Sequence, residues 1–150
     1  NPNPDYYGSD RQGDNLYTCA LLALDADTGQ LKWHFQFTPH DLHDWDANHV
    51  PVLGEVAIGP DGGQPRKVVM VANRNSFFYT LDRANGSFIK GGQYVNDLNW
   101  TKGLDPKTGK PTVFKLPGAD ARDPHVLTFD KAVIKAFPGI AIRPRDLGVA

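Results

Sequence analysis

The chain has 150 residues, with 16 basic and 17 acidic side chains and a formal net charge of −1. Its 40% hydrophobic and 22% charged residues are ordinary for a globular protein, which argues against a disordered or collagen-like chain. Lys and Arg are dispersed, so the sequence does not support electrostatic binding of nucleic acid or of an anionic membrane. No apolar run is long enough to span a bilayer, and any signal peptide of an exported protein would lie upstream.

The first part of the chain predicts a β-hairpin. Leu16–Asp25 is an apolar run typical of a buried strand, and Gln30–Gln36 alternates polar and apolar residues as a half-exposed strand does. Asp27-Thr28-Gly29 lies between them and is typical of a tight turn. The single cysteine, Cys19, lies in the first run and is expected to be buried.

A second copy of this pattern follows. Two more strands are predicted at Lys67–Ala72 and Phe77–Asp82, and the turn Ala84-Asn85-Gly86 comes next. Aligned on their turns, the two copies pair Asp25 with Asp82 and Gly29 with Gly86, each 57 residues apart. A third copy of the turn at positions 105–109 repeats the Asp-x-x-Thr-Gly pattern of the first.

Such repeats are typical of β-propellers, whose blades have about 40–50 residues each. We therefore predict an all-β fold of about two propeller blades, an incomplete ring that depends on further blades to cover its edges. Residues 1–111 are assigned to the blades. Residues 112–150 lack the repeat turn and remain an unassigned C-terminal segment.

Polar side chains are most concentrated between His40 and His49, where three carboxylates and three imidazoles occur within ten residues. Carboxylates suit hard cations such as Ca²⁺, and imidazoles suit transition metals, so a metal site is one interpretation. The more ordinary interpretation is a solvated loop in which Asp and Asn side chains cap the strands. The residues alone leave both open.

Ordered motifs over residues 1–111 resemble the pyrroloquinoline-quinone (PQQ)-dependent alcohol dehydrogenases. The segment from Ala23 to Trp33 is similar to the family's Ala-x-Asp-x-x-Thr-Gly-x-x-x-Trp docking motif, in which the Trp packs between blades. Further similar segments occur in family order at Asn1–Pro4, Gly13–Thr18, Trp33–Asp41 and Asn73–Arg83.

The resemblance implies an eight-bladed β-propeller enzyme of the periplasm. Its members oxidise an alcohol to an aldehyde by metal-assisted hydride transfer to PQQ, and pass electrons to cytochrome c or a quinone. Expected partners are therefore a small alcohol, such an electron acceptor and the remaining propeller blades.

The resemblance also implies the site residues. Asp44 matches the general base, which takes the hydroxyl proton and also binds the metal. Asn1 and Asp46 match metal ligands, Asp46 being the additional carboxylate of lanthanide-using members, so that Ca²⁺ and a lanthanide ion both remain open. Arg74 matches the residue that hydrogen-bonds the quinone oxygens. If residues 44–46 are extended, Asp44 and Asp46 face the same side.

There are two departures from the family pattern. Ser76 stands where many relatives have Gly, which alters a turn but removes no catalytic group. Leu42-His43 precedes the base where methanol oxidisers usually have Trp before it, and this leaves the substrate open. Trp33 is expected to dock between blades, Trp45 to line the pocket and Trp100 to pack in the next repeat. The three histidines His40, His43 and His49 are expected to be structural rather than metal ligands.

Two alternatives to an enzyme remain: a non-catalytic propeller scaffold and an inactive truncated fragment. A scaffold needs the glycine turns and the docking Trp, but it does not need Asp44 and Arg74. Those two residues favour the enzyme, although this chain in isolation is expected to be inactive.

Overall fold

The computed structural model describes residues 11–58, 63–98 and 100–113, which form β-strands and no helix. Within these ranges, no helix is long and apolar enough to cross a membrane. The strands in chain order are β1 (Ala20–Leu24), β2 (Leu31–Gln36), β3 (Val52–Ala57), β4 (Pro65–Ala72), β5 (Phe77–Asp82), β6 (Phe88–Gln93), β7 (Thr101–Leu104) and β8 (Pro111–Val113).

The strands form three antiparallel sheets in which sequence neighbours pair. β1 and β2 form one hairpin, β3-β4-β5-β6 form a four-stranded meander, and β7 and β8 form a second hairpin. The four-stranded meander is the arrangement of a propeller blade. The predicted all-β fold is therefore confirmed, while the division of the chain at residue 111 stays a prediction because residues 114–150 lie outside the described ranges.

The predicted turns lie at equivalent positions in successive sheets. In the turn that joins β1 to β2, Asp25 Oδ1 accepts hydrogen bonds from Thr28 N and Thr28 Oγ1, each at 3.0 Å. The turn between β7 and β8 repeats this with Asp105, which accepts from Thr108 N at 2.7 Å and Thr108 Oγ1 at 2.9 Å. In the turn between β5 and β6, Asp82 Oδ1 accepts from Ala84 N at 2.8 Å.

Trp33 on β2 docks against the turn of the next sheet, as predicted. Its indole lies so close to Gly86 that a Cβ on this glycine would be 2.5 Å from Trp33 Cε3. Its Nε1 donates a hydrogen bond to the backbone oxygen of Arg83 at 3.2 Å. Phe88 makes a similar contact with Gly109, where an added Cβ would lie 2.2 Å from Phe88 Cδ2. Each of the first two sheets therefore places an aromatic ring on the turn glycine of the next.

The hydrophobic core lies where the first two sheets meet. Phe35 and Phe37 at the end of β2 pack on Tyr79 of β5, with ring centroids 5.6 and 4.8 Å apart. Tyr79 is fully buried, and this burial raises its pKa above the usual 10. The remaining buried members of the cluster are Val69, Val71, Phe77, Leu81 and Trp100.

Apolar side chains also remain exposed on the first sheet and on the edge strand β3. Leu24 is 56% exposed and Leu53 is 62% exposed, although both lie in strands. An open propeller leaves such faces uncovered until neighbouring blades pack on them. This pattern fits the expectation that further blades complete the fold.

Gly86→Ala is expected to destabilise the fold more than Gly29→Ala. Both glycines have left-handed φ values, 73° and 71°, so an alanine at either position costs about 1–2 kcal/mol in backbone strain. Only Gly86 lies against Trp33, and the overlap adds about 1–3 kcal/mol. Urea denaturation monitored by Trp fluorescence measures the difference, and equal losses for the two variants would contradict the docking contact.

The turn aspartates are expected to make stability depend on acid pH. The Lys32 ion pair and the Thr28 hydrogen bonds lower the pKa of Asp25 from 3.8 to about 2, and hydrogen bonds from Thr108 lower that of Asp105. A carboxylate with a depressed folded-state pKa stabilises the fold above its ordinary pKa, and this contribution is lost as pH falls from about 4 to 2.

Asp25→Asn should therefore flatten the dependence of the midpoint of urea unfolding on pH between pH 4 and 2. The matched control is Asp27→Asn, which removes the same charge from the same turn but leaves the hydrogen bonds to Asp25 in place. Equal pH profiles for the two variants would show that net charge alone causes the effect.

Candidate functional site

The loop that follows β2 and the turn between β4 and β5 are joined by one buried amide. Asn75 is fully buried, and its Nδ2 lies 3.2 Å from Phe37 O, 3.2 Å from Thr38 Oγ1 and 2.8 Å from Tyr79 Oη. An unpaired buried amide costs about 1–3 kcal/mol, so these partners fix the turn against the beginning of the loop. The loop that carries Asp44 and Asp46 is thereby held against the turn that carries Arg74.

The turn at residues 73–76 presents Arg74 to solvent while burying its neighbours. Asn73 and Asn75 are both fully buried, and Asn73 Oδ1 accepts a hydrogen bond from Asn75 N at 3.1 Å. Ser76 has a φ of 77°, a left-handed conformation that favours glycine. The turn holds the Arg74 backbone between two anchored asparagines.

The loop at residues 40–46 is anchored by His40 and Asp41. His40 Nδ1 lies 2.7 Å from Gly13 O, and the structural role predicted for His40 is confirmed. Asp41 is 1% exposed and accepts hydrogen bonds from His43 N at 3.0 Å and Trp45 N at 2.8 Å. Cys19 is buried as predicted, and its Sγ lies 3.3 Å from Asp41 Oδ2.

The backbone at Asp44 is left-handed, with a φ of 65°. The expectation that residues 44–46 are extended is therefore wrong at Asp44. The reason is the carboxylate of Asp41, which binds the N–H groups on both sides of Asp44 and folds the loop back on itself. Asp44 is half-buried.

The structure brings Asp46 and Arg74 together in an ion pair. Arg74 Nη1 donates to Asp46 Oδ2, although the two residues are 28 positions apart in the chain. Both side chains are partly exposed. The third predicted metal ligand, Asn1, lies outside the described residues, so its place in the site stays a prediction.

His43 lies within electrostatic range of both charged segments. Partial burial lowers its pKa below the usual 6.5, and Arg74 lowers it further, while Asp41 and Asp44 oppose this effect. Because Asp44 and Arg74 both act on this ring, the predicted base and the predicted quinone-binding residue lie at the same end of the sheets.

A row of aromatic rings connects the loop to the core. His43 stacks on Trp45 with ring centroids 4.1 Å apart, and Trp45 contacts Trp100 at 5.3 Å. Trp100 contacts Phe77 at 6.1 Å, as a residue packed in the core does. The stacking of His43 was not expected, because the sequence indicated only a hydrogen-bonded histidine. The spacing of two positions between His43 and Trp45 was the sequence feature that indicated this contact.

Two buried donors beside the charged groups have no hydrogen-bond acceptor among the described residues. These are Nε1 of Trp45, next to Asp44 and Asp46, and Nδ2 of Asn73, next to Arg74. Buried donors are normally paired. An oxygen-rich group bound at this end of the sheets would provide the acceptors, which is the chemistry of a quinone with carboxylate substituents.

The donor set for a cation is incomplete in the described ranges. The oxygen ligands Asp44 and Asp46 suit a hard cation, but no group of three or more His, Cys, Asp or Glu side chains in residues 11–58, 63–98 and 100–113 is placed to bind one. For a hard cation, the carboxylates of Asp44 and Asp46 would be only part of a larger set of ligands. Further ligands must then come from other parts of the protein.

Comparison with known proteins places these features in a family. A family model described as glucose/ethanol/alcohol dehydrogenase, beta-propeller domain, matches residues 1–91. The quinoprotein alcohol dehydrogenase PedH of Pseudomonas putida is 48% identical over 121 residues, which cover 77% of this chain and 20% of PedH.

Two solved structures share the fold. The quinohemoprotein alcohol dehydrogenase from Comamonas testosteroni has a TM-score of 0.67 and 43% identity, covering 80% of this chain and 17% of that chain. A europium-containing methanol dehydrogenase has a TM-score of 0.67 and 29% identity, covering 73% of this chain and 18% of that chain. The chain thus spans about a fifth of the length of these proteins. The chain belongs to the β-propeller family of PQQ-dependent alcohol dehydrogenases.

Proposed function

We propose that this chain supplies the general base and the quinone-binding arginine of a PQQ-dependent dehydrogenase that oxidises a small alcohol to an aldehyde. The observation that carries the proposal is the ion pair between Asp46 and Arg74, which joins the two segments that bear the predicted groups. The rest of the propeller, beyond this chain, would complete the active site.

Asp44 acts as the general base. Oxidation of an alcohol removes a hydride from carbon and a proton from the hydroxyl oxygen, and a carboxylate within hydrogen-bond reach can take that proton. When bound, PQQ supplies the carbonyl that accepts the hydride. Asp44 is half-buried in an anchored loop, so its backbone is held in place while its side chain stays partly accessible.

Arg74 binds the quinone oxygens and stabilises the negative charge that develops on them. A guanidinium forms short charge-assisted hydrogen bonds and holds its charge at all relevant pH values. The Asn73–Ser76 turn fixes its backbone, and Asp46 orients its side chain. Groups oriented before the reaction stabilise developing charge without reorganising.

Asp44, Asp46 and Asn1 hold a Ca²⁺ or lanthanide ion. Carboxylate and amide oxygens are the ligands of hard cations, and two carboxylates favour an ion of higher charge. The europium-containing methanol dehydrogenase among the similar structures supports a lanthanide as one of the two candidates.

The whole protein would work in the periplasm and pass electrons to cytochrome c or a quinone. This assignment follows from the family resemblance of the ordered motifs. A non-catalytic scaffold would also need the docking of Trp33 on Gly86, but it would not need the ion pair of Asp46 and Arg74 at the strand ends.

Asp44→Asn in the complete protein is expected to lower kcat for alcohol oxidation by about 10²–10⁴-fold, because a general base contributes about this factor. The amide oxygen still binds a cation, so metal affinity should fall much less than turnover. PQQ-dependent dye reduction with metal and cofactor saturating measures kcat, and titration of Eu³⁺ luminescence measures metal binding.

The matched control is Asp27→Asn, which makes the same substitution in an exposed turn and should leave both quantities unchanged. Near-normal alcohol oxidation by Asp44→Asn would contradict the assignment of the base. Absence of PQQ-dependent oxidation in the unsubstituted complete protein would favour a scaffold.

A further inference from the structure

We propose that Asp41 is a positioning residue for Asp44, and that its carboxylate clamps the loop in the conformation that aims the base. This inference rests on the proposed function. Asp41 is 1% exposed and lies three residues before Asp44, so it touches neither solvent nor an approaching alcohol. Its role must therefore be exerted through the residues that it binds.

The hydrogen bonds of Asp41 lie on both sides of Asp44 in the chain. Asp41 Oδ1 accepts a hydrogen bond from the N–H of His43 at 3.0 Å, and Oδ2 accepts one from the N–H of Trp45 at 2.8 Å. These are the residues immediately before and after Asp44. Hydrogen bonds to a carboxylate are about twice as strong as those between neutral groups, so the two together define the path of the backbone between them.

These hydrogen bonds hold Asp44 in an unfavourable backbone conformation. Asp44 has a φ of 65°, and a residue other than glycine in this left-handed region costs about 1–2 kcal/mol. Without compensation the backbone would relax toward an extended form, in which the Asp44 side chain points elsewhere. The two hydrogen bonds from the neighbouring N–H groups offset this cost.

A third contact connects the clamp to the first sheet. The thiol of Cys19, just before β1, lies 3.3 Å from Asp41 Oδ2. Burial, together with the nearby Asp41 carboxylate, raises the pKa of Cys19 to about 12, so the thiol keeps its proton and donates. Arg11 Nη2 donates to the backbone oxygen of Asp41 at 3.2 Å. The loop that carries Asp44 is thus held by contacts with residues outside it as well as by contacts within it.

An asparagine cannot replace Asp41 in this role. Both carboxylate oxygens accept from backbone N–H groups, whereas the amide of Asn has one oxygen, and its NH₂ would face a second donor. Asp41→Asn therefore keeps the size of the side chain and loses half of the clamp. Asp105→Asn is the control, because Asp105 accepts both of its backbone N–H groups through Oδ1 alone, in a turn far along the chain, and the amide oxygen of Asn can keep them.

The test uses the complete holoenzyme with PQQ and metal saturating. Asp41→Asn should lower kcat at least tenfold while KM and Eu³⁺ affinity change less than threefold, and Asp105→Asn should leave all three unchanged. Hydrogen–deuterium exchange should become faster at residues 42–46 in Asp41→Asn only. In an Asp44→Asn background, Asp41→Asn should lower kcat by no more than a further twofold, because Asp41 acts through Asp44.

Normal kcat in Asp41→Asn, or two losses that multiply in the double variant, would overturn the proposal while leaving Asp44 as the base. Near-normal kcat in Asp44→Asn would overturn the proposed base and this inference with it. If Asp41→Asn does not fold, Cys19→Ala removes one donor and keeps the carboxylate; it should lower kcat severalfold at unchanged Eu³⁺ affinity. Unchanged kcat and exchange in Cys19→Ala would then reject the clamp.

Discussion

The buried amide of Asn75 is the interaction on which the arrangement of the site depends. It joins the turn that carries Arg74 to the beginning of the loop that carries Asp44, through contacts with Phe37 and Thr38. Burying an amide is unfavourable unless its hydrogen bonds are made, so the site geometry and the stability of the interface are linked. The aromatic packing of Phe37 on Tyr79 surrounds these polar contacts and excludes water from them.

Around this interface, the residues that dock the sheets are different from the charged residues of the candidate site. Trp33 and Phe88 each pack on the turn glycine of the next sheet, so the sheets dock at these turns. The charged groups instead lie in the loop after β2 and the turn after β4, where the backbone is free of strand pairing. In such folds, functional residues usually lie on loops that a rigid scaffold positions.

The repeat in the sequence predicted the three turns and the docking of Trp33, because Asp, Thr and Gly have roles set by local backbone geometry. Strands were not predicted at β3, β6, β7 or β8. At β3, Gly54 interrupts the apolar pattern. An added Cβ at Gly54 would lie 3.2 Å from Met70 Cε on the paired strand. The predicted strand from Leu16 begins only at Ala20, because Thr18 N bonds back to Asn15 O in a turn.

The site was less predictable than the fold. Its residues were found by resemblance, but the Asp46–Arg74 ion pair joins positions 28 apart, and no local pattern indicates it. The left-handed Asp44 likewise depends on the side chain of Asp41, which competes with the extended conformation that alternation favours. Phe88, which packs on Gly109, lies two residues after Gly86, whereas Trp33 lies four residues after Gly29. The repeat therefore did not identify Phe88 as a docking residue.

The most direct measurement is a crystal structure of the complete protein with PQQ and a lanthanide ion bound. Our account predicts that the Arg74 guanidinium lies within hydrogen-bond distance of the quinone oxygens, and that Asp44 and Asp46 contact the cation. The loop at residues 40–46 should keep the Asp41 hydrogen bonds to His43 N and Trp45 N. A quinone and cation bound away from both segments, with Arg74 and Asp46 paired only to each other at the surface, would contradict the account.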